Sequence, residues 1–128
     1  MKRILLDTHV LIWWLADAPN LGNKARLLIQ NPQNQIYVSA ATLWELSIKM
    51  AKGLLDLPEE IFDAVAEEAF EPLPIQWFHG RQAGFLPDIH KDPFDRMLIA
   101  QAQAEGLELM TADTVIPQYG IRIIDAGK

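Results

Sequence analysis

Cysteine is absent from this 128-residue chain. That excludes disulfides and thiolate metal sites together, and it fits a reducing compartment. Positive charge is scarce: 11 Lys and Arg face 17 Asp and Glu, a formal net charge of −6. Phosphate neutralisation normally needs a basic excess, so a generic nucleic-acid binder is disfavoured. Bound divalent cations would cancel part of a local acidic charge, however, and a basic partner is also suggested. Long apolar runs are missing too. The start, MKRILLDTHVLIWWLA, resembles a signal peptide or anchor, but Asp7 and His9 interrupt it. The uninterrupted part, Val10 to Ala16, is far shorter than the roughly 20 residues a spanning helix needs, and no convincing cleavage site follows. The expectation is a soluble, untargeted, cytoplasmic protein. No repeat, low-complexity tract or linker divides the chain, and its length suits one domain over residues 1–128.

Half the residues are hydrophobic, and helical and strand periods alternate with short turns, as in repeated βα units. Arg3 to Leu6 reads as a first strand and Thr8 to Ala16 as a helix. Asn23 to Gln30 follows as a helix after Pro19 and Gly22, then Gln35 to Val38 as a strand. Ser39 caps a helix from Ala40 to about Lys52, closed by Gly53. Pro58, Glu59 and Glu60 predict a helix start running to about Ala69. A strand near Phe70 to Leu73 and a helix near Gln76 to Gly84 come next. Asp92 and Pro93 open a strong helix that ends at Gly106. Leu107 to Met110 and Gly120 to Ile124 complete the strands, with a small turn or helix near Ala112 to Tyr119. The predicted fold is a three-layer α/β/α sandwich on a mostly parallel five-stranded sheet.

Four acids, Asp7, Glu45, Asp95 and Asp113, fall where a predicted strand gives way to a helix or turn, or just inside the following helix. In open α/β sheets the crevice beyond the carboxyl ends of the strands binds ligands, so these side chains can meet in one pocket. Each has a plainer reading. Asp7 can cap the helix at Thr8, Asp92 and Asp95 can form a capping pair around Pro93, Asp113 can form a turn, and Glu45 can pair with Lys49 on a solvated face. Glu45 is the hardest to dismiss: it lies past the first turn, between Trp44 and Leu46, and a buried carboxylate is costly unless paired, hydrogen-bonded or metal-bound. An all-carboxylate set suits Mg²⁺ or Mn²⁺ and not Zn²⁺. Such ions activate water and stabilise in-line phosphoryl displacement, which makes a phosphodiester the natural substrate.

Asp7-Thr8 after the first strand, SAATLWELSIK from Ser39 to Lys49, LPDIHKDPFDRMLIAQA from Leu86 to Ala102, and Thr111-Ala112-Asp113 together resemble a PIN domain, in particular the bacterial VapC-type toxins, also known as PilT N-terminus-like proteins. The resemblance spans almost the whole chain. It implies a Mg²⁺- or Mn²⁺-dependent endoribonuclease with its acids at Asp7, Glu45, Asp95 and Asp113, and no departure occurs at these positions. Asp95 precedes Met97-Leu98-Ile99-Ala100 and so takes the family's acidic position, leaving Asp92 as a cap. Thr8 and Thr111 match positions where a hydroxyl supports the site. A type II toxin–antitoxin role, a homodimer, and a cognate VapB-type antitoxin whose C-terminal segment lies across the groove are also implied.

The basic residues Arg96, Lys49, Arg81 and Lys91 are candidate phosphate contacts, each equally readable as surface charge. His9, His79 and His90 lack nucleophile-base or metal-ligand spacing and read as polar surface or capping residues. Leu11 to Leu15 form a helix apolar on every side, which reads as core with a possible share in an interface. Two other classes compete: a receiver-type Mg²⁺-binding signalling domain, which needs an acidic pair after the first strand and a lysine after the last, and a PIN fold retained only for protein binding.

Overall fold

A computed structural model describes residues 1–128. Five strands, β1 (Arg3–Leu6), β2 (Gln35–Ser39), β3 (Glu71–Leu73), β4 (Glu108–Thr111) and β5 (Ile123–Asp125), form one sheet in the order β3-β2-β1-β4-β5. Every pairing is parallel, so the expected "mostly parallel" sheet is wholly so. Six helices accompany it: α1 (Thr8–Leu15), α2 (Asn23–Gln30), α3 (Ala40–Ala51), α4 (Ile61–Glu67), α5 (Trp77–Phe85) and α6 (Pro93–Glu105). A 3₁₀ turn at Ile116–Tyr119 precedes β5.

Strand alternation sorts the core into two layers. Ile4, Leu6, Ile36, Val38 and Met110 face one side with Val10, Leu11, Ala25, Ile29, Leu46 and Val65 from α1 to α4. Leu5 and Leu109 face the other, against Leu98, Ile99 and Ala102 of α6 and Ile116. Ile4, Leu5 and Leu6 are all fully buried, as expected of a central parallel strand covered on both faces. Each such side chain contributes about 1.5–3 kcal/mol through apolar burial.

Two boundaries differ from the sequence reading by more than two residues. Pro58 to Glu60 do not start α4. Ile61 and Phe62 donate three residues back, to Pro58 and Glu59, and the first four-residue bond is Ala64 to Glu60, so a tight turn precedes the helix. The last strand begins at Ile123 because Gly120, at φ +74°, caps the 3₁₀ turn in the left-handed region. No helix is long and apolar enough to cross a membrane.

From β1 the chain winds outward through β2 to β3, then crosses back to β4 and β5 on the other side. The winding therefore reverses between β1 and β4, and the crevice beyond their carboxyl ends is the ligand-binding position of such sheets.

Candidate active site

Asp7 stands at this switch point. It is the N-cap of α1, its Oδ1 accepting from the Val10 amide at 2.9 Å, so the capping reading is correct but incomplete. The Thr111 hydroxyl, at the end of β4, donates to its other oxygen, and the same hydroxyl accepts from the Asp113 amide at 3.0 Å. Burial raises the Asp7 pKa, an effect reinforced by the Asp113 charge and opposed by the Thr111 and Val10 hydrogen bonds and by His9.

Glu45 reaches the same place from α3. That helix starts at Ser39, whose Oγ accepts from the Ala41 amide at 3.0 Å and donates to Gln101 of α6 at 2.6 Å. Glu45 is buried, accepting from the Thr8 hydroxyl and from Lys49 Nζ, both at 2.6 Å. The i,i+4 pair with Lys49 thus forms, but with its carboxylate end buried while the lysine stays partly exposed. The hydrogen bond to Glu45 raises the Lys49 pKa against partial burial.

Asp95 lies in the first turn of α6. Asp92 caps that helix, its Oδ1 accepting from the amides of Phe94 and Asp95 at 2.8 and 3.1 Å. Asp95 is therefore free of the capping duty. Burial, then the charges of Asp92, Asp7 and Glu45, push its pKa up to about 7 against the opposing effect of His90. Asp113 behaves in the opposite way. Burial works to raise its pKa, but the hydrogen bond from His90 and those from the Val115 and Ile116 amides outweigh it and hold the carboxyl below its ordinary value.

Asp7, Asp95 and Asp113 line one pocket of about 300 Å³ with His9, Trp13 and Ala112, and Glu45, buried behind that lining, joins them through its bond to Thr8 and the effect of its charge on Asp95. Thr8 and Thr111 each donate to one of the acids. The basic candidates are placed differently. Lys49 neutralises Glu45. The structure does not bring Arg96 to the pocket: its guanidinium donates to the carbonyls of Ala83, Leu86, Pro87 and His90, at 2.9 to 3.2 Å, leaving little capacity for a phosphate. Arg81 and Lys91 are exposed and do not line the pocket.

His90 is the residue that sequence reasoning missed. Its Nε2 is 3.0 Å from Asp113 Oδ2 and 3.1 Å from Asp95 Oδ2. The signal available was its place five residues before Asp95, but its separation from Asp113 is bridged only by the fold. His79 matches the capping expectation: its Nδ1 accepts from the Gln76 amide, and it is buried. His9 is exposed at the pocket's edge.

The donor set fits a hard divalent cation. Every carboxylate oxygen of the four acids has a protein donor within reach except Asp95 Oδ1, so the carboxylates are held in place while one oxygen stays uncommitted. Burial first, and acidic neighbours after it, raise the pKa values of Asp7 and Asp95, a shift that a nearby cation would oppose. His90, Asp95 and Asp113 also bring ligand atoms within 4.8 Å of one another.

Known proteins agree with this architecture. The chain is 26% identical to ribonuclease VapC22 of Mycobacterium tuberculosis over 88% of each protein. Its fold matches DNA-bound VapBC from Salmonella typhimurium with a TM-score of 0.73 and 23% identity, covering 98% of each chain. VapBC2 from Rickettsia felis, bound to a DNA fragment from its promoter, matches with a TM-score of 0.73 and 18% identity, covering 96% of this chain and 98% of that one. The PIN domain family matches residues 4–121, and with the acids arranged at the switch point of its parallel sheet the chain belongs to that family.

Proposed function

We propose that residues 1–128 form a single PIN domain that hydrolyses RNA phosphodiester bonds with Mg²⁺ or Mn²⁺ and serves as the toxin of a toxin–antitoxin pair. The observation that carries the reading is the convergence of Asp7, Glu45, Asp95 and Asp113 at the β1/β4 switch point, where burial and then its acidic neighbours push the Asp95 pKa up to about 7. Asp7, Glu45 and Asp95 would hold the ion, and Asp113 would complete a second ion site or order water. A bound divalent ion supplies a water of lowered pKa and neutralises charge on the phosphoryl group under in-line attack. The protein's own part is positional. Thr111 and the Val10 amide orient Asp7, Thr8 orients Glu45, and Lys49 balances the charge that Glu45 carries into the interior. The receiver-type alternative gains no support, since Thr8 follows Asp7 and β5 ends on Asp125.

The relative named a ribonuclease and the likeness to VapBC assemblies support RNA as substrate and a VapB-type antitoxin as partner. An antitoxin that presents Arg or Lys to the groove would meet the net charge of −6. A cytoplasmic homodimer completes the proposal. The test is RNA cleavage by purified protein titrated with Mn²⁺ or Mg²⁺. Cleavage is expected to need the metal and to disappear with EDTA or in Asp7→Asn; cleavage indifferent to both would refute the mechanism.

A further inference from the structure

His90 sits on the loop between α5 and α6, and that loop is fastened unusually well. The Tyr119 hydroxyl accepts from the amides of His90, at 2.7 Å, and Ile89, at 3.3 Å, and donates to the Pro87 carbonyl at 2.8 Å. Beside it the Arg96 guanidinium grips the carbonyls of Leu86, Pro87 and His90. An ordinary surface connection between two helices does not need two side chains from different elements to hold it.

The imidazole itself is fixed at both nitrogens. The Asp92 amide donates to Nδ1 at 3.1 Å. A ring nitrogen that accepts has no proton of its own, so the ring's N–H is on Nε2, the atom facing Asp113 and Asp95. In that tautomer Nε2 has no lone pair to offer a cation. The three-residue grouping of His90, Asp95 and Asp113 has the spacing of a metal site, but the hydrogen-bond pattern makes His90 a donor to Asp113, with Asp95 Oδ2 in close contact at the same nitrogen, and not a ligand.

We infer that His90 is a positioning residue: held by Arg96 and Tyr119 and set in one tautomer by the Asp92 amide, it gathers Asp113 Oδ2 and Asp95 Oδ2 at a common nitrogen and leaves Asp95 Oδ1 without a protein donor and available to a cation. The inference rests on the metal-dependent reading above. It assigns the loop residues of HKDPFDR a purpose apart from substrate contact, and it accounts for Arg96 being spent on backbone carbonyls.

The experiment compares full-length wild type, His90→Ala, His90→Gln and Tyr119→Phe by Mn²⁺ calorimetry, pulsed paramagnetic resonance of bound Mn²⁺ and RNA cleavage, with circular dichroism to establish folding. Gln can place an amide N–H near the position of Nε2. His90→Ala should weaken Mn²⁺ binding about tenfold or more, the scale at which groups that orient metal ligands act. It should lower kcat more than it raises KM. His90→Gln should recover most of both, and Tyr119→Phe should show a smaller loss in the same direction. Wild-type Mn²⁺ should show no coupling to a directly bonded imidazole nitrogen. Such a coupling would overturn the inference, as would Mn²⁺ affinity unchanged in His90→Ala, or a folded His90→Gln no better than His90→Ala. If His90→Ala does not fold, His90→Gln and Tyr119→Phe decide by the same readings. Wild type that binds Mn²⁺ and cuts RNA while these variants match it defeats this inference alone. Wild type that binds no Mn²⁺ defeats the metal-dependent reading and this inference with it.

Discussion

The site has an inner pair and a rim pair of carboxylates, and the two are built on different principles. Asp7 and Glu45 are 5% and 3% exposed and take their hydrogen bonds from a helix N-terminus, two threonine hydroxyls and one lysine. Asp95 and Asp113 have side chains 22% and 29% exposed and share a single imidazole. Burial makes the inner pair rigid and costly, because a desolvated charge must be matched by close partners. At the rim, solvent carries part of that burden, and Asp95, which has the fewest donors, is raised first by what burial it has and then by its acidic neighbours. The lesson is that commitment is divided between the pairs: both inner carboxylates have a protein donor on each oxygen, while at the rim Asp95 Oδ1 has none and is free for a cation.

The sharpest way to break this comparison is to remove one charge from each pair. Asp7→Asn should lower metal-dependent RNA cleavage by about 10²-fold or more, while Asp113→Asn should lose distinctly less, because Asp113 is partly solvated and already committed to His90 and two backbone amides. Equal losses in a parallel metal titration would erase the distinction between inner and rim pairs.

Thr111→Val comes next. It keeps the shape of the end of β4 but takes away the hydroxyl that joins Asp7 to the Asp113 amide. Mn²⁺ affinity measured by calorimetry should fall about 10-fold or more, since an unoriented Asp7 must be ordered when the ion binds.

Acidity probes Asp95 at smaller cost. Asp95 titrates at about 7 in the fold, well above its ordinary value. Between the two values the folded state binds the extra proton, so the stability this contributes is fully present at low pH and is lost as pH rises through about 7. Asp7 shifts in the same direction. Urea unfolding of the metal-free protein at rising pH should therefore show falling stability. Asp95→Asn should flatten that fall by about 1–2 kcal/mol after allowance for solvent screening. Metal added near neutrality to the unaltered protein should release protons, and this release should shrink in Asp95→Asn.

The smallest effect is expected at Thr42, one turn before Glu45 on the same buried face of α3. Its hydroxyl is buried without a hydrogen-bond partner. Thr42→Val should change stability by less than about 0.5 kcal/mol or improve it, because an isosteric methyl needs no partner. A loss of cleavage with stability intact would instead assign this hydroxyl to the site.

Most of the fold was legible because local rules and tertiary rules agree. Ser39 and Asp92 cap their helices as their residue types suggest, and Gly106, at φ +67°, ends α6 where the periodic pattern stops. The disagreements are local. Pro58 to Glu60 carried good helix-start chemistry, yet the chain made a tight turn there. Arg96 had the charge of a phosphate contact, yet nearby carbonyls claimed its donors first.

The sequence by itself determined the residue types that can bind a hard cation, their places at the ends of strands and starts of helices, and the alternation that buries a parallel sheet on both faces. These follow from short-range periodicity and from the chemistry of single side chains. Only the tertiary structure decided which partner each carboxylate takes: Thr111 for Asp7, Thr8 for Glu45, and His90 for Asp95 and Asp113 together. Most of these contacts join residues far apart in the chain, and they exist because β1 and β4 are neighbours in the sheet while α3 and α6 close over their ends. Distance along the chain carries no such information, so the geometry that tunes the acids belongs to the fold.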